Sequence, residues 1–193
     1  VGTSSQATTT TAASIAWAHT VPAGTDALFV GIGLVTGSTT ITTVTWSLTS
    51  GDAAELWEVQ GSTSTKAGAW LLTSPVAGTG TITVTLSSTT SGGTAGGINL
   101  AGVVPTSVVA AHRTVYTGTN TAGGISLPVV DSKSGDLVID TGTILSSTIT
   151  AGAGQTSRVE DDAISGGTRS WGISTEPATG ASTVMSWTES STS

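Results

Sequence analysis

Along most of this chain apolar residues recur at every second position, the period of a half-buried β-strand rather than of a helix. Ile15, Trp17, His19 and Val21 fall on one face of such a segment, with Ala16, Ala18 and Thr20 on the other. Residues 41–47 and 81–86 alternate through threonine in the same way, and Ile82, Val84 and Leu86 share a face. The run at 26–35, rich in Val, Ile and Phe, suits a central strand. Further strands are expected at 55–59, 69–73, 97–104, 113–118, 125–130, 137–145, 168–174 and 183–187. Turn-forming residues punctuate them, among them Pro22-Ala23-Gly24, Gly51-Asp52, Gly92-Gly93, Gly123-Gly124, Ser134-Gly135 and Gly166-Gly167.

Composition pushes the same way. About a third of the residues are Ser or Thr, and β-branched threonine packs well on a pleated surface. Glu, Lys, Arg, Gln and Met are scarce, which excludes a long helical bundle. The expected fold is all-β: a two-sheet antiparallel sandwich, jelly-roll-like, with residues 1–193 as a single domain. Residues 1–12 are expected to form an N-terminal arm, flexible or bound to a partner.

Other classes fall away on simple grounds. The chain has no cysteine, so a disulfide scaffold, a thiolate metal site and a cysteine nucleophile are excluded. A hydrophobic content of 37% leaves apolar surface that must be buried, which argues against disorder. Five Lys and Arg against twelve Asp and Glu give a net charge of −7, which repels phosphates, so no nucleic-acid partner is expected. No apolar run approaches membrane-spanning length, and no membrane insertion is expected.

A weak internal repeat emerges once the strands are marked. Residues 21–30 echo 130–139, each a Val, a polar turn, an Asp and an apolar strand. Residues 70–86 echo 171–187: a Trp, a strand, Pro-x-x-Gly and an alternating strand. The repeats cover about 13–104 and 111–193, and two similar halves facing each other suit a two-sheet sandwich. After Trp187 there is no counterpart of the strand at 97–104. Thr183, Met185 and Trp187 are therefore expected to form an open edge used in assembly. Another chain, the segment 3–13, or sequence beyond Ser193 would cover it.

Several strings carry a resemblance: Ala16-Trp17-Ala18-His19-Thr20-Val21 followed by Asp26-Ala27-Leu28-Phe29-Val30-Gly31-Ile32; Ala69-Trp70-Leu71-Leu72 with Ser74-Pro75; Gly135-Asp136-Leu137-Val138; and Gly152-Ala153-Gly154-Gln155-Thr156. Together they resemble a Ser/Thr/Gly-rich, jelly-roll-like β-sandwich domain of bacteriophage structural proteins and bacterial surface proteins. The resemblance implies a structural role at a virion or cell surface and brings no catalytic residues with it.

The residues that could carry chemistry are few. His19 and His112 are the two imidazoles. His19 lies on an apolar strand face, where a hydrogen-bonded histidine near the core is expected, and His112 is expected at a solvated loop edge. Serine is too abundant to mark a nucleophile, and no Gly-x-Ser-x-Gly turn occurs. Asp136, Asp140, Glu160 and Glu176 could supply paired carboxylates, and Glu160-Asp161-Asp162 could offer oxygen ligands to calcium. A solvated turn is the expectation for that cluster. Trp17, Trp70 and Trp57 are expected as core anchors, because indole buries a large area; an exposed tryptophan would instead form a platform for sugars. No catalytic, metal-ligating or cofactor-binding residue is expected.

The functional expectation is a non-enzymatic virion structural protein, a capsid decoration or head or tail appendage subunit. It would sit on the virion surface and pack against neighbouring copies or other virion proteins. The alternatives are a secreted carbohydrate-binding module and a bacterial surface adhesin domain, extracellular or on the cell surface.

Overall fold

The computed structural model describes residues 1–35, 38–50, 54–62, 65–104, 125–126, 130–144, 148–164 and 169–190; of residues 54–62, 130, 163 and 190 it describes the backbone only. The expected strand at 113–118 lies outside these residues. The first half forms β1 (Ser4–Thr9), β2 (Ala12–Val21), β3 (Ala27–Leu34), β4 (Ile41–Trp46), β5 (Ala54–Ser62), β6 (Thr65–Thr73), β7 (Gly78–Thr90) and β8 (Gly93–Leu100). The second forms β9 (Ile125–Ser126), β10 (Val130–Asp131), β11 (Leu137–Ile144), β12 (Thr148–Ala151), β13 (Thr156–Ala163), β14 (Arg169–Pro177), β15 (Ser182–Thr183) and β16 (Ser186–Ser190).

In the first half the strand orders are β1-β8-β3-β6-β5 and β2-β7-β4. First pairs with last, third with sixth and second with seventh, all antiparallel, which is the nesting of a jelly roll. β5 departs from that scheme by pairing with β6. The second half repeats part of the plan. Its orders β11-β14-β13 and β9-β16-β12 match β3-β6-β5 and β2-β7-β4, with a short β10-β15 pair alongside.

The correspondence extends to backbone bonds at the turns. Ser74 N–H donates to Asp26 O and Ser47 N–H to Thr81 O; Ala178 N–H to Asp136 O and Gly152 N–H to Ser186 O are their counterparts. The pairing also corrects the register of the sequence echo. Trp70 lies opposite Val30, the fourth residue of β3, whereas Ser174 lies opposite Asp140, the fourth residue of β11. Ser174, not Trp171, therefore occupies the position of Trp70.

The sheets stack in four layers rather than two. One face of the five-stranded inner sheet, with Leu28, Val30, Trp70 and Leu72, packs on Ile15, Trp17, Val44, Trp46, Ile82 and Val84 of the outer sheet. Its other face, with Phe29, Ala69, Leu71 and Ile98, packs on Val159, Trp171 and Ile173 of β13 and β14. Burial on both faces is why β3 reads as a continuous apolar run, and β8, filled with small residues, is buried along its whole length as well. On the far side of β14, Trp187 of β16 closes a smaller core with Ile144 and Ile149.

Glycine makes the layers fit. A methyl group built on Gly33 would stand 2.5 Å from Cδ1 of Trp171, and one on Gly96 would stand 3.0 Å from Cη2 of the same ring. One on Gly172 would stand 2.5 Å from Trp187 Cη2. The glycines inside the strands are thus hollows in a pleated surface that receive large rings from the next layer.

Two sequence expectations are corrected here. Residues 4–9 are not a loose arm, because β1 pairs residue by residue with β8 from Ser4↔Ile98 to Thr9↔Gly93. Thr183, Met185 and Trp187 are not an open edge: they are 5%, 0% and 2% exposed. Trp187 lies between Ala151 of β12 and Ile125 of β9, and Thr183 pairs with Val130. β9 takes the place that β2 has in the first half, and among the described residues no strand covers β11 as β8 covers β3.

Gly33→Ala is expected to destabilise the fold by about 1–3 kcal/mol, because the methyl group has no room beside Trp171. Gly180→Ala, with nothing within 4 Å of the added carbon, is expected to stay within about 0.5 kcal/mol of the parent. Urea unfolding of the two variants measures the contrast.

Candidate functional site

Each half holds a buried titratable side chain within a polar cluster that crosses between its two sheets. In the first half this is His19, on the buried face of β2 and 3% exposed. The Asn99 amide nitrogen donates to Thr20 O and Thr3 Oγ1, which turns its oxygen toward the imidazole. His19 Nε2–H then donates to Asn99 Oδ1 at 3.1 Å, leaving Nδ1 to accept from the Ser5 hydroxyl at 2.6 Å. Ser5 Oγ also accepts the Trp17 indole N–H at 2.8 Å. The Trp46 ring meets the imidazole edge-on at 6.1 Å. Burial holds the His19 pKa below its ordinary 6.5, opposed by the Asn99 hydrogen bond.

Ser5, His19 and Asn99 thus share the connectivity of nucleophile, base and orienting amide. Ser5 Oγ is engaged on both sides, by an indole that donates to it and an imidazole that accepts from it. The same bonds tie the layers together: Ser5 links β1, and Asn99 links Thr3 and β8, to an imidazole carried by the opposite sheet.

In the second half the buried group is Asp140, 4% exposed. Oδ1 accepts the Ser174 N–H at 3.2 Å and the Ser174 hydroxyl at 2.5 Å, and Oδ2 accepts the Trp187 indole N–H at 2.9 Å. The Gln155 amide donates to Ser174 Oγ at 2.5 Å, and its oxygen accepts the Ser186 N–H at 2.6 Å. Strands β11, β14 and β16 are joined through one carboxyl group. Burial raises its pKa from 3.8 to about 6, against the lowering effect of the Ser174 and Trp187 donors.

The other sequence candidates do not converge on either cluster. Asp136 caps the turn at Lys133, accepting its N–H at 2.8 Å. Glu160-Asp161-Asp162 is part of strand β13 rather than a solvated turn. Asp161 accepts from Thr8, and Asp162 accepts the Ile149 N–H at 3.0 Å. Glu176 lies on β14 beside Gly154. Among the described residues no group of three or more His, Asp or Glu could hold a metal ion, and no helix is long and apolar enough to cross a membrane. His112 lies outside the described residues.

Trp17 and Trp70 belong to the first core from opposite sheets, 7% and 3% exposed. Trp46, Trp171 and Trp187 are more deeply buried still. The side chain of Trp57 lies outside the described residues, although its strand, β5, does not. No described tryptophan offers a ring for sugar stacking. Sequence reasoning missed Ser5, Asn99, Gln155 and Ser174, whose residue types are too common here to stand out. One signal was present for Asp140: a lone carboxylate inside an otherwise uncharged strand.

No family model, no curated protein and no solved structure matches the chain.

The two groups tilt stability with pH in opposite directions. Folded Asp140 keeps a proton that the unfolded chain has released, so its contribution is full below about pH 4 and is lost as pH rises through about 6. That shift corresponds to about 3 kcal/mol. His19, with its folded pKa lowered, contributes fully above pH 6.5 and loses that contribution as pH falls through its folded value. The melting temperature of Asp140→Asn minus that of the parent is expected to become more positive from about pH 4 to about pH 8. The same difference for His19→Gln is expected to become more positive as pH falls below 6.5. Thermal melts across pH test both signs.

Proposed function

We propose that this chain is a non-enzymatic structural subunit of a virion surface, a capsid decoration or head or tail appendage, that works by packing against neighbouring copies or other virion proteins. The observation that carries this reading is the outer face of the β2-β7-β4 sheet. Ala16, Ala18 and Thr20 of β2, Thr43 and Thr45 of β4, and Thr81, Thr83 and Thr85 of β7 alternate with the core residues on these strands. They form a plate of short, uncharged side chains. Such a plate loses little side-chain entropy when another surface covers it, and it has no charge to desolvate.

The two polar clusters support the same reading, since their partners are strands of the chain itself. The resemblance of the sequence to phage and bacterial surface domains supplies the setting. Burial of the described tryptophans weighs against the carbohydrate-binding alternative.

Antibodies raised to the chain and used in immunogold negative staining of particles from its native source are expected to decorate the particle surface. Thr81→Lys, on the plate but away from the core, is expected to keep stability within about 0.5 kcal/mol while lowering incorporation into particles. Unlabelled particles together with specific retention on a glycan array would overturn the proposal.

A further inference from the structure

The edges of the sheets are not equally protected. A strand edge exposes unpaired N–H and C=O groups, and charges, bulges, prolines or inward-pointing charges usually guard it. β5, at one end of the five-stranded sheet, has Glu55 and Glu58 and two register breaks. β2 and β4 each have a break in register. β13 carries Arg158, Glu160, Asp161 and Asp162, and β11 holds the inward-pointing Asp140. β1, at the other end of the five-stranded sheet, has none of these devices. Its sequence, SSQATT, is uncharged and free of proline, and its six residues pair with β8 without a break.

We propose that β1 is a self-association edge, pairing antiparallel with β1 of a second copy about a two-fold axis at Gln6, so that the two five-stranded sheets join as one. The register follows from what lies beneath β1. Ser4 Oγ donates to Arg158 O at 2.9 Å, and Thr8 donates to the Asp161 carboxylate, so β13 runs under β1 with Arg158 at one end and Asp161 at the other. An antiparallel pair centred on Gln6 sets Ser4 beside Thr8 of the second copy. It therefore brings the Arg158 end of one β13 toward the Asp161 end of the other, at both ends of the contact. The polar cluster contributes as well: Ser5 and Thr3, tied to His19 and Asn99, hold β1 extended before the second copy arrives.

A six-residue ladder buries less than the roughly 1,200 Å² of a stable interface. The pairing is therefore weak and reversible for two copies and gains strength where an array supplies further contacts. The inference rests on the assembly role proposed above, but its test is separate. A charge-reversible dimer in solution with no labelled particle would overturn that role and leave the β1 contact standing.

Sedimentation velocity at rising concentration is expected to show a reversible dimer of the full chain. Gln6→Lys and Gln6→Glu each place like charges across the axis, and each is expected to dimerise about tenfold more weakly. An equimolar mixture of the two is expected to recover the parental association or exceed it, an outcome that a folding defect could not produce. The chain lacks cysteine, so Gln6→Cys is expected to give a disulfide-linked dimer on mild oxidation, and Thr42→Cys on β4 is not. A parent that stays monomeric, single variants that associate as the parent does, or a mixture that stays dissociated would overturn the proposal.

Discussion

The arrangement turns on three strands that are covered on both faces. β3, β6 and β8 are covered on one side by the outer sheet of their own half and on the other by β11, β13 and β14. Both contacts are close because the strands present glycine where a ring from the next layer lies. Trp171 sits over Gly33 and Gly96, and Ile173 over Gly31. A layered β-protein of this kind depends on hollows as much as on apolar side chains, since rings buried between pleated sheets need depth as well as area.

Fixing four layers also requires something to stop one sheet sliding over another, and dispersion forces alone are poor at that. His19 and Asp140 supply direction. Each crosses a sheet-to-sheet gap and is met by donors or acceptors from two or more strands, so a slip of one residue would break several hydrogen bonds at once. Asp140 stands where the first half has Val30, and the partners differ accordingly. The two halves solve the same problem with different chemistry, an imidazole in one and a carboxyl group in the other. Between the halves the match is less complete. Thr141 Oγ1, Thr143 Oγ1 and Trp171 Nε1 are buried against the inner sheet without a hydrogen-bond partner, a disadvantage that the packing of Trp171 and Ile173 has to outweigh.

Much of this was legible in the sequence. The expected strands at 26–35 and 137–145 mark β3 and β11 closely, and β3, buried along its whole length, is continuously apolar. Alternation marks β2, β4 and β7. What escaped were strands whose side chains carry no apolar signal. β1 is Ser, Gln, Ala and Thr, and β13 hides behind Glu160, Asp161 and Asp162, which an edge strand tolerates and a central one would not. The segment 183–187 reads as one strand, yet it is split between β15 and β16, with Met185 buried at the break. Four layers could not be distinguished from two, since periodicity reports that a face is covered and not what covers it. The polar clusters were less legible than the fold: His19 and Asp140 stand out as isolated polar residues on apolar strands, but their partners are ordinary serines and amides.

The double burial of the inner sheet has a consequence for how the chain is made. Synthesis runs from the N-terminus, and every strand of the first jelly roll, β1 to β8, lies within the first 100 residues. That half can close while the second is still inside or near the ribosome. Its back then shows Phe29, Ala69, Leu71, Ile98 and Leu100, with the Gly33 hollow empty, until β11, β13 and β14 arrive to fill it. A first half that closed ahead of the second would carry a broad apolar face until the strands up to residue 177 were made to cover it.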